Sequence, residues 1–182
     1  MTNWTSVIDK ITGEVLREFG ALTKEELNWK PNSDTWSIAQ NLDHLIVVNE
    51  SYNPVFKSLN DETYKIPLLA RMGWIVSFFG KMILNSVRAD RKRKMKTFPI
   101  WEPSASEIGV DIMKRFELHQ DQLKRKIEQL VNFVERDVVI SSPASKIIVY
   151  KLETAFHIIV EHERRHLEQA REVLRILAAK SK

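Results

Sequence analysis

Two histidines four residues apart, His162 and His166 in the run Glu161-His162-Glu163-Arg164-Arg165-His166, have the spacing in this chain best suited to chemistry. On a helix such a pair lies about 40° apart around the axis, close enough for both imidazoles to hold one ion. Projected at about 100° per residue, both fall within the arc of Ala155, Ile159, Val173 and Leu177, away from Glu161, Arg164, Glu168 and Arg175. The pair is therefore predicted to face a helical core. Two buried imidazoles without partners would cost roughly 1–3 kcal/mol per unsatisfied group, and a shared metal ion at about 2.0–2.1 Å from each removes that cost. Separate hydrogen bonds from each ring to a carboxylate or carbonyl on a neighbouring helix would remove it as well.

His44 could supply a third ligand from another helix, although spacing alone does not join it to the pair. His119 projects onto an apolar face near Ile112 and Leu123, where it is first a core histidine and second a fourth ligand or a hydrogen-bond partner of one. His157 projects beside Glu161, Arg164 and Glu168 and is expected to face solvent, while Glu163 is the carboxylate best placed by sequence to support a ligand ring. The chain has no cysteine, so thiolate metal sites, disulfides and cysteine nucleophiles are excluded and any protein ligand must be His, Asp or Glu.

Four long helices are predicted to position these residues. Ile8, Ile11, Val15, Leu16 and Phe19 recur at helical spacing over about 5–20. Pro31 and the Asn/Ser/Asp cluster before Trp36 break the period, making 27–36 a loop anchored by Trp29 and Trp36. Ser37 and Gln40 fit a capping box that opens the helix of His44, with Pro54 kinking or shortening its end. A second capping box, Ser104 with Glu107, is predicted to open a third helix through Ile112, Phe116, Leu123, Ile127 and Leu130, and a fourth is expected from about Ser145 to Ala179.

Between about Asn60 and Pro103 lies an insertion whose middle, Leu68 to Arg88, reads as one more helix with a wide apolar arc. Arg71 and Lys81 interrupt it well short of the roughly 20 apolar residues of a membrane span. It is expected to pack on the bundle or on a second copy, which would make a homodimer. The chain, 182 residues long with a formal net charge of +4, is read as one domain able to bury a sizeable core. That charge is local. Arg88, Arg91, Lys92, Arg93, Lys94 and Lys96 stand against the single Asp90, and the rest is nearly neutral. The basic run 88–96 is expected to be a solvated connector, with nucleic-acid or membrane contact the rival role. Polar Thr2, Asn3, Thr5, Ser6 and Asp9 near the N-terminus give no sign of a secretory leader, so a cytoplasmic protein is expected.

Two motifs in this chain resemble those of the DinB-like superfamily of metal-binding four-helix proteins. The first is Leu27-Asn28-Trp29-Lys30-Pro31 followed by Trp36-Ser37-Ile38-Ala39-Gln40-Asn41-Leu42-Asp43-His44-Leu45; the second is His162-Glu163-Arg164-Arg165-His166-Leu167-Glu168-Gln169. The order and length of the helices agree with them, and the insertion falls outside the resemblance. Arg165 stands where many members have another His, and Glu168 where many have Gly. The resemblance implies an all-α, four-helix bundle with an added helical insertion between its second and third helices, and His44, His162 and His166 as the ligands of one divalent ion.

Three imidazoles leave a coordination position open, as catalytic metal sites do. The resemblance implies a thiol S-transferase-like activity on a small electrophilic molecule, with a low-molecular-weight thiol such as bacillithiol, mycothiol or glutathione as cofactor. Metal-dependent hydrolysis is the alternative chemistry, and a non-enzymatic binding protein the alternative class. Zinc, nickel, iron and copper all suit such a donor set.

Overall fold

The computed structural model describes residues 3–88, 101–103 and 107–180. Its bundle helices are α1 (Trp4–Phe19), α3 (Ile38–Glu50), α6 (Ile112–Gln129) and α8 (Leu152–Lys180). Shorter elements are α2 (Lys24–Asn28), α4 (Asn53–Asn60), a 3-10 turn at Leu68–Arg71, α5 (Gly73–Val87), α7 (Val131–Glu135) and the strands β1 (Val139–Ser142) and β2 (Ser145–Lys151). α1 and α3 each pack against both α6 and α8, an all-α four-helix bundle with an added helix and a small hairpin. Among the described residues no helix is long and apolar enough to cross a membrane.

Local sequence explains the starts of α1, α3 and α4. Asn3 caps α1 by accepting from the Ser6 amide, and Ile8, Ile11, Val15 and Phe19 form its buried stripe. The predicted capping box of α3 is present: Ser37 Oγ accepts from Gln40 N and Gln40 Oε1 from Ser37 N, each at 3.1 Å. Pro54 sits in the first turn of α4, where its missing N–H costs nothing, so the chain breaks at Ser51 and Tyr52 and does not kink.

The third bundle helix starts later than its sequence suggests. Ser104–Ser106, and with them the proposed capping box, lie outside the described residues, and α6 begins at Ile112. Asn28, eighty positions away, holds the backbone of Ile108 from both sides, accepting from its N–H at 2.9 Å and donating to its carbonyl at 2.8 Å. This side chain takes groups that a helix would have used itself. The last helix also starts late, at Leu152, because Ser145–Lys151 is a strand. The β-branched and aromatic run Ile147-Ile148-Val149-Tyr150 pairs antiparallel with β1, setting Tyr150 opposite Ile140 and Val149 opposite Ser141.

The insertion helix is shorter than predicted, the residues Leu68–Arg71 being a 3-10 turn. α5 packs on β2 and α8 through Val76 and Gly80. A Cβ at Gly80 would lie 3.3 Å from Thr154 Cγ2, so the glycine permits this close approach. Of the basic run, 89–96 lies outside the described residues.

Two apolar clusters fill the bundle. One gathers Trp4, Ile8, Tyr52, Phe56, Leu123, Tyr150 and Phe156, the other Ile11, Val15, Leu42, Phe116, Leu167 and Val173. Between them in sequence, on three helices, come the buried polar residues Asn49, His119, Gln120 and Glu163.

Candidate metal centre

α3 and α8, packed side by side, bring His44, His162 and His166 together, with one potential ligand atom of each within 4.8 Å of the others. His162 Nε2 lies 3.4 Å from His44 Nε2 and 3.1 Å from His166 Nε2. His44 and His166 are buried and His162 is half-buried. The predicted inward face of the last helix is therefore present, and the ring from α3 joins it.

The other nitrogens show which way the rings are protonated. His44 Nδ1 lies 2.6 Å from the Trp101 carbonyl oxygen, an atom that can only accept, so Nδ1 carries the hydrogen. Asn41 donates its amide N–H to the Ser37 carbonyl at 2.9 Å, which turns Oδ1 toward His166 Nδ1 at 2.8 Å. His166 therefore donates from Nδ1 too. In both neutral rings Nε2 is left with a lone pair, and both lone pairs meet His162 Nε2.

One proton on His162 cannot satisfy that meeting point well, whereas one cation can. Ligand nitrogens at about 2.0–2.1 Å from a tetrahedral ion are about 3.3 Å apart. The two observed separations bracket that value. All three imidazoles are held in the neutral form that binds metals. Burial lowers the pKa of His44; burial, then His44 and Arg165, lower that of His162 to about 3; and burial, then the other two rings and Arg165, lower that of His166. These residues fit a divalent ion.

Trp36, the last residue of the anchored loop, closes one side: its ring stacks on His166 at 19° and 5.7 Å and lies 4.7 Å from the His44 ring. The insertion contributes too, through the Trp101 carbonyl and through Ser86, whose carbonyl accepts from Arg165 Nη1 at 2.8 Å. None of these supports was read from sequence. Asn41 is recognisable afterwards, since it precedes His44 by three residues and shares its face of α3, but a backbone carbonyl such as that of Trp101 leaves no side-chain signal.

Glu163 does not support a ligand ring. The order His-Glu-x-x-His is also how metalloprotease helices present two ligands and a general base. Here Glu163 is fully buried on a different side of α8, where Asn49 and Gln120 each donate an amide N–H to one of its oxygens, at 2.8 and 2.9 Å. Burial pushes its carboxyl up to about 7, against the pull of those two bonds. His119 is a core histidine outside the three-ring group, and neither of its nitrogens has a hydrogen-bond partner among the described residues. Burial, then Lys126, lower its pKa to about 4. His157 is half-buried instead of solvent-facing because Trp4 covers it, donating from Nε1 to His157 Nδ1 at 3.5 Å.

Comparison with known proteins agrees with this picture. The chain is 28% identical over 169 residues to the uncharacterized protein YuaE of Bacillus subtilis (strain 168), covering 92% of this chain and 95% of that one. It resembles in fold the solved structure of YfiT from Bacillus subtilis, with a TM-score of 0.65 at 16% identity over 96% of this chain and 86% of that one. YfiT is described as a probable metal-dependent hydrolase with an unusual four-helix bundle topology. Residues 8–170 match the sequence model of the DinB superfamily, and the chain belongs to that superfamily.

Proposed function

We propose that this protein is a metal-dependent enzyme acting on a small electrophilic molecule, with His44, His162 and His166 as the protein ligands of one divalent ion. The observation that carries this reading is the meeting of three Nε2 atoms, two of them left as bare lone pairs by their bonds to Trp101 and Asn41. An ion with three neutral ligands and a free position supplies Lewis acidity, lowering the pKa of a water or a thiol bound there.

The residues of the chain orient and insulate. Asn41 and the Trp101 carbonyl fix two rings against rotation, Trp36 shields them from solvent, and burial keeps the imidazoles unprotonated, with a smaller push from Arg165 on His162 and His166. Hydrolysis is the reaction to test first, since YfiT, which shares the fold, carries that description. Transfer of a small thiol to the electrophile is the second reading. It is favoured by Glu163, whose oxygens are held by Asn49 and Gln120 and so are not offered as a general base, which thiol transfer does not require.

The test is elemental analysis of untagged protein, beside the His162→Ala and His166→Ala variants, followed by hydrolytic and thiol-consumption assays with the metal restored. About one equivalent of metal in the parent and a loss in both variants are expected. Equal metal in all three would end the reading.

A further inference from the structure

Ten large hydrophobic residues are exposed among those described, and six fall between positions 66 and 82: Ile66, Leu68, Met72, Trp74, Phe78 and Met82. Leu68 is 81% exposed, Trp74 69% and Phe78 58%, so most of each side chain's surface meets solvent and not its own protein. Trp74, Phe78 and Met82 follow one another every four residues and form a stripe along α5, opposite the face that Val76 and Gly80 pack on the hairpin. A patch so continuous marks a contact surface.

Charge identifies what it contacts. Lys65, Arg71 and Lys81 are exposed, have no ion-pair partner among the described residues, and flank the stripe. Lys81 projects about 20° from Trp74 around the helix. No Asp or Glu occurs between Glu62 and Asp90, and beyond Asp90 the sequence continues Arg91-Lys92-Arg93-Lys94. A twofold contact with a second copy would lay these cations against themselves, because an isologous interface pairs a patch with itself. An anionic lipid surface instead satisfies both halves of the pattern, apolar side chains entering among the acyl chains and cations meeting phosphates. α5, fifteen residues long, lies along such a surface and does not cross it.

We propose that the outward face of α5 and of the turn before it docks on an anionic lipid bilayer through Trp74, Phe78 and Met82, with Lys65, Arg71 and Lys81 against the headgroups. This surface is independent of the metal reading. The test is flotation of the full chain with vesicles of phosphatidylglycerol and phosphatidylcholine in equal parts, and with phosphatidylcholine alone. Partition onto the mixed vesicles is expected at low salt, at least tenfold above that onto phosphatidylcholine, and weakened by salt. The double variant Trp74→Ser with Phe78→Ser loses it at least tenfold, and Arg71→Glu with Lys81→Glu loses the preference for the anionic lipid. Both change exposed positions, and an unchanged circular dichroism spectrum checks the fold. Absence of partition onto mixed vesicles overturns the proposal. So does a dimer in sedimentation that the Trp74→Ser, Phe78→Ser variant dissociates, or retention on DNA, when vesicles take up none of the protein.

Discussion

Asn41 Oδ1 accepts the Nδ1 hydrogen of His166 at 2.8 Å, so a residue in the first turn of α3 decides the tautomer of a histidine on α8. The amide cannot turn round, because its own N–H is taken by the carbonyl of the N-cap residue Ser37 at 2.9 Å. Replacing Asn41 by Ala is expected to leave the three rings in place but weaken metal binding about 10–100-fold, the usual effect of losing such a support. Asn41→Asp, which keeps the acceptor, retains binding. Titration against a competing chelator measures both.

Metal and fold should be coupled. An ion supplied at about a hundred times its dissociation constant adds about 2.7 kcal/mol to the stability of a protein that binds it only when folded. Thermal unfolding of the parent with and without added metal should show this gain, and a chelator should reverse it. The same scans on His44→Ala, His162→Ala and His166→Ala should show no response.

His119 gives a pH dependence of its own. Its pKa is lowered from 6.5 to about 4 in the folded protein, so unfolding takes up a proton at pH values between these limits. The stability it permits is full above about pH 6.5 and is lost as pH falls toward 4. At pH 5 the loss is about 2 kcal/mol. His119→Leu should raise stability at pH 7 by removing two unpaired nitrogens, and raise it further at pH 5. Urea unfolding at the two pH values tests this, and a variant with the parental pH slope would refute it.

Glu163 acts with the opposite sign. A buried carboxyl raised from 4.5 to about 7 favours the folded state fully below pH 4.5, and that contribution is lost as pH rises through 7. Glu163→Gln should therefore gain on the order of 2 kcal/mol at pH 8 relative to its effect at pH 5. Its new N–H₂ group can be received, since Asn49 Oδ1 and Gln120 Oε1 have no hydrogen-bond partner among the described residues and either amide can flip. Metal content should not change. A loss of metal in this variant would place Glu163 in the site after all.

Where a residue's surroundings lie on its own helix, its role could be read from sequence. The capping box of Ser37 and Gln40, the stripe of α1 and the inward aim of His162 and His166 all follow from spacing within one element. Features set by distant segments could not be read so. The start of α6 depends on Asn28, and the apolar run 147–150 is too short for its period to separate strand from helix until Val139 and Ile140 are beside it. Glu163 lies next to a candidate ligand in sequence but a quarter-turn away in space.

The carbonyl of Trp101 belongs to the far end of the insertion, yet it fixes a ring of the candidate centre. Grafting a shorter connector into this bundle would transfer all three imidazoles and still leave His44 Nδ1 without the acceptor that sets its tautomer. The path of the connector thus enters the chemistry of the centre through a single backbone oxygen.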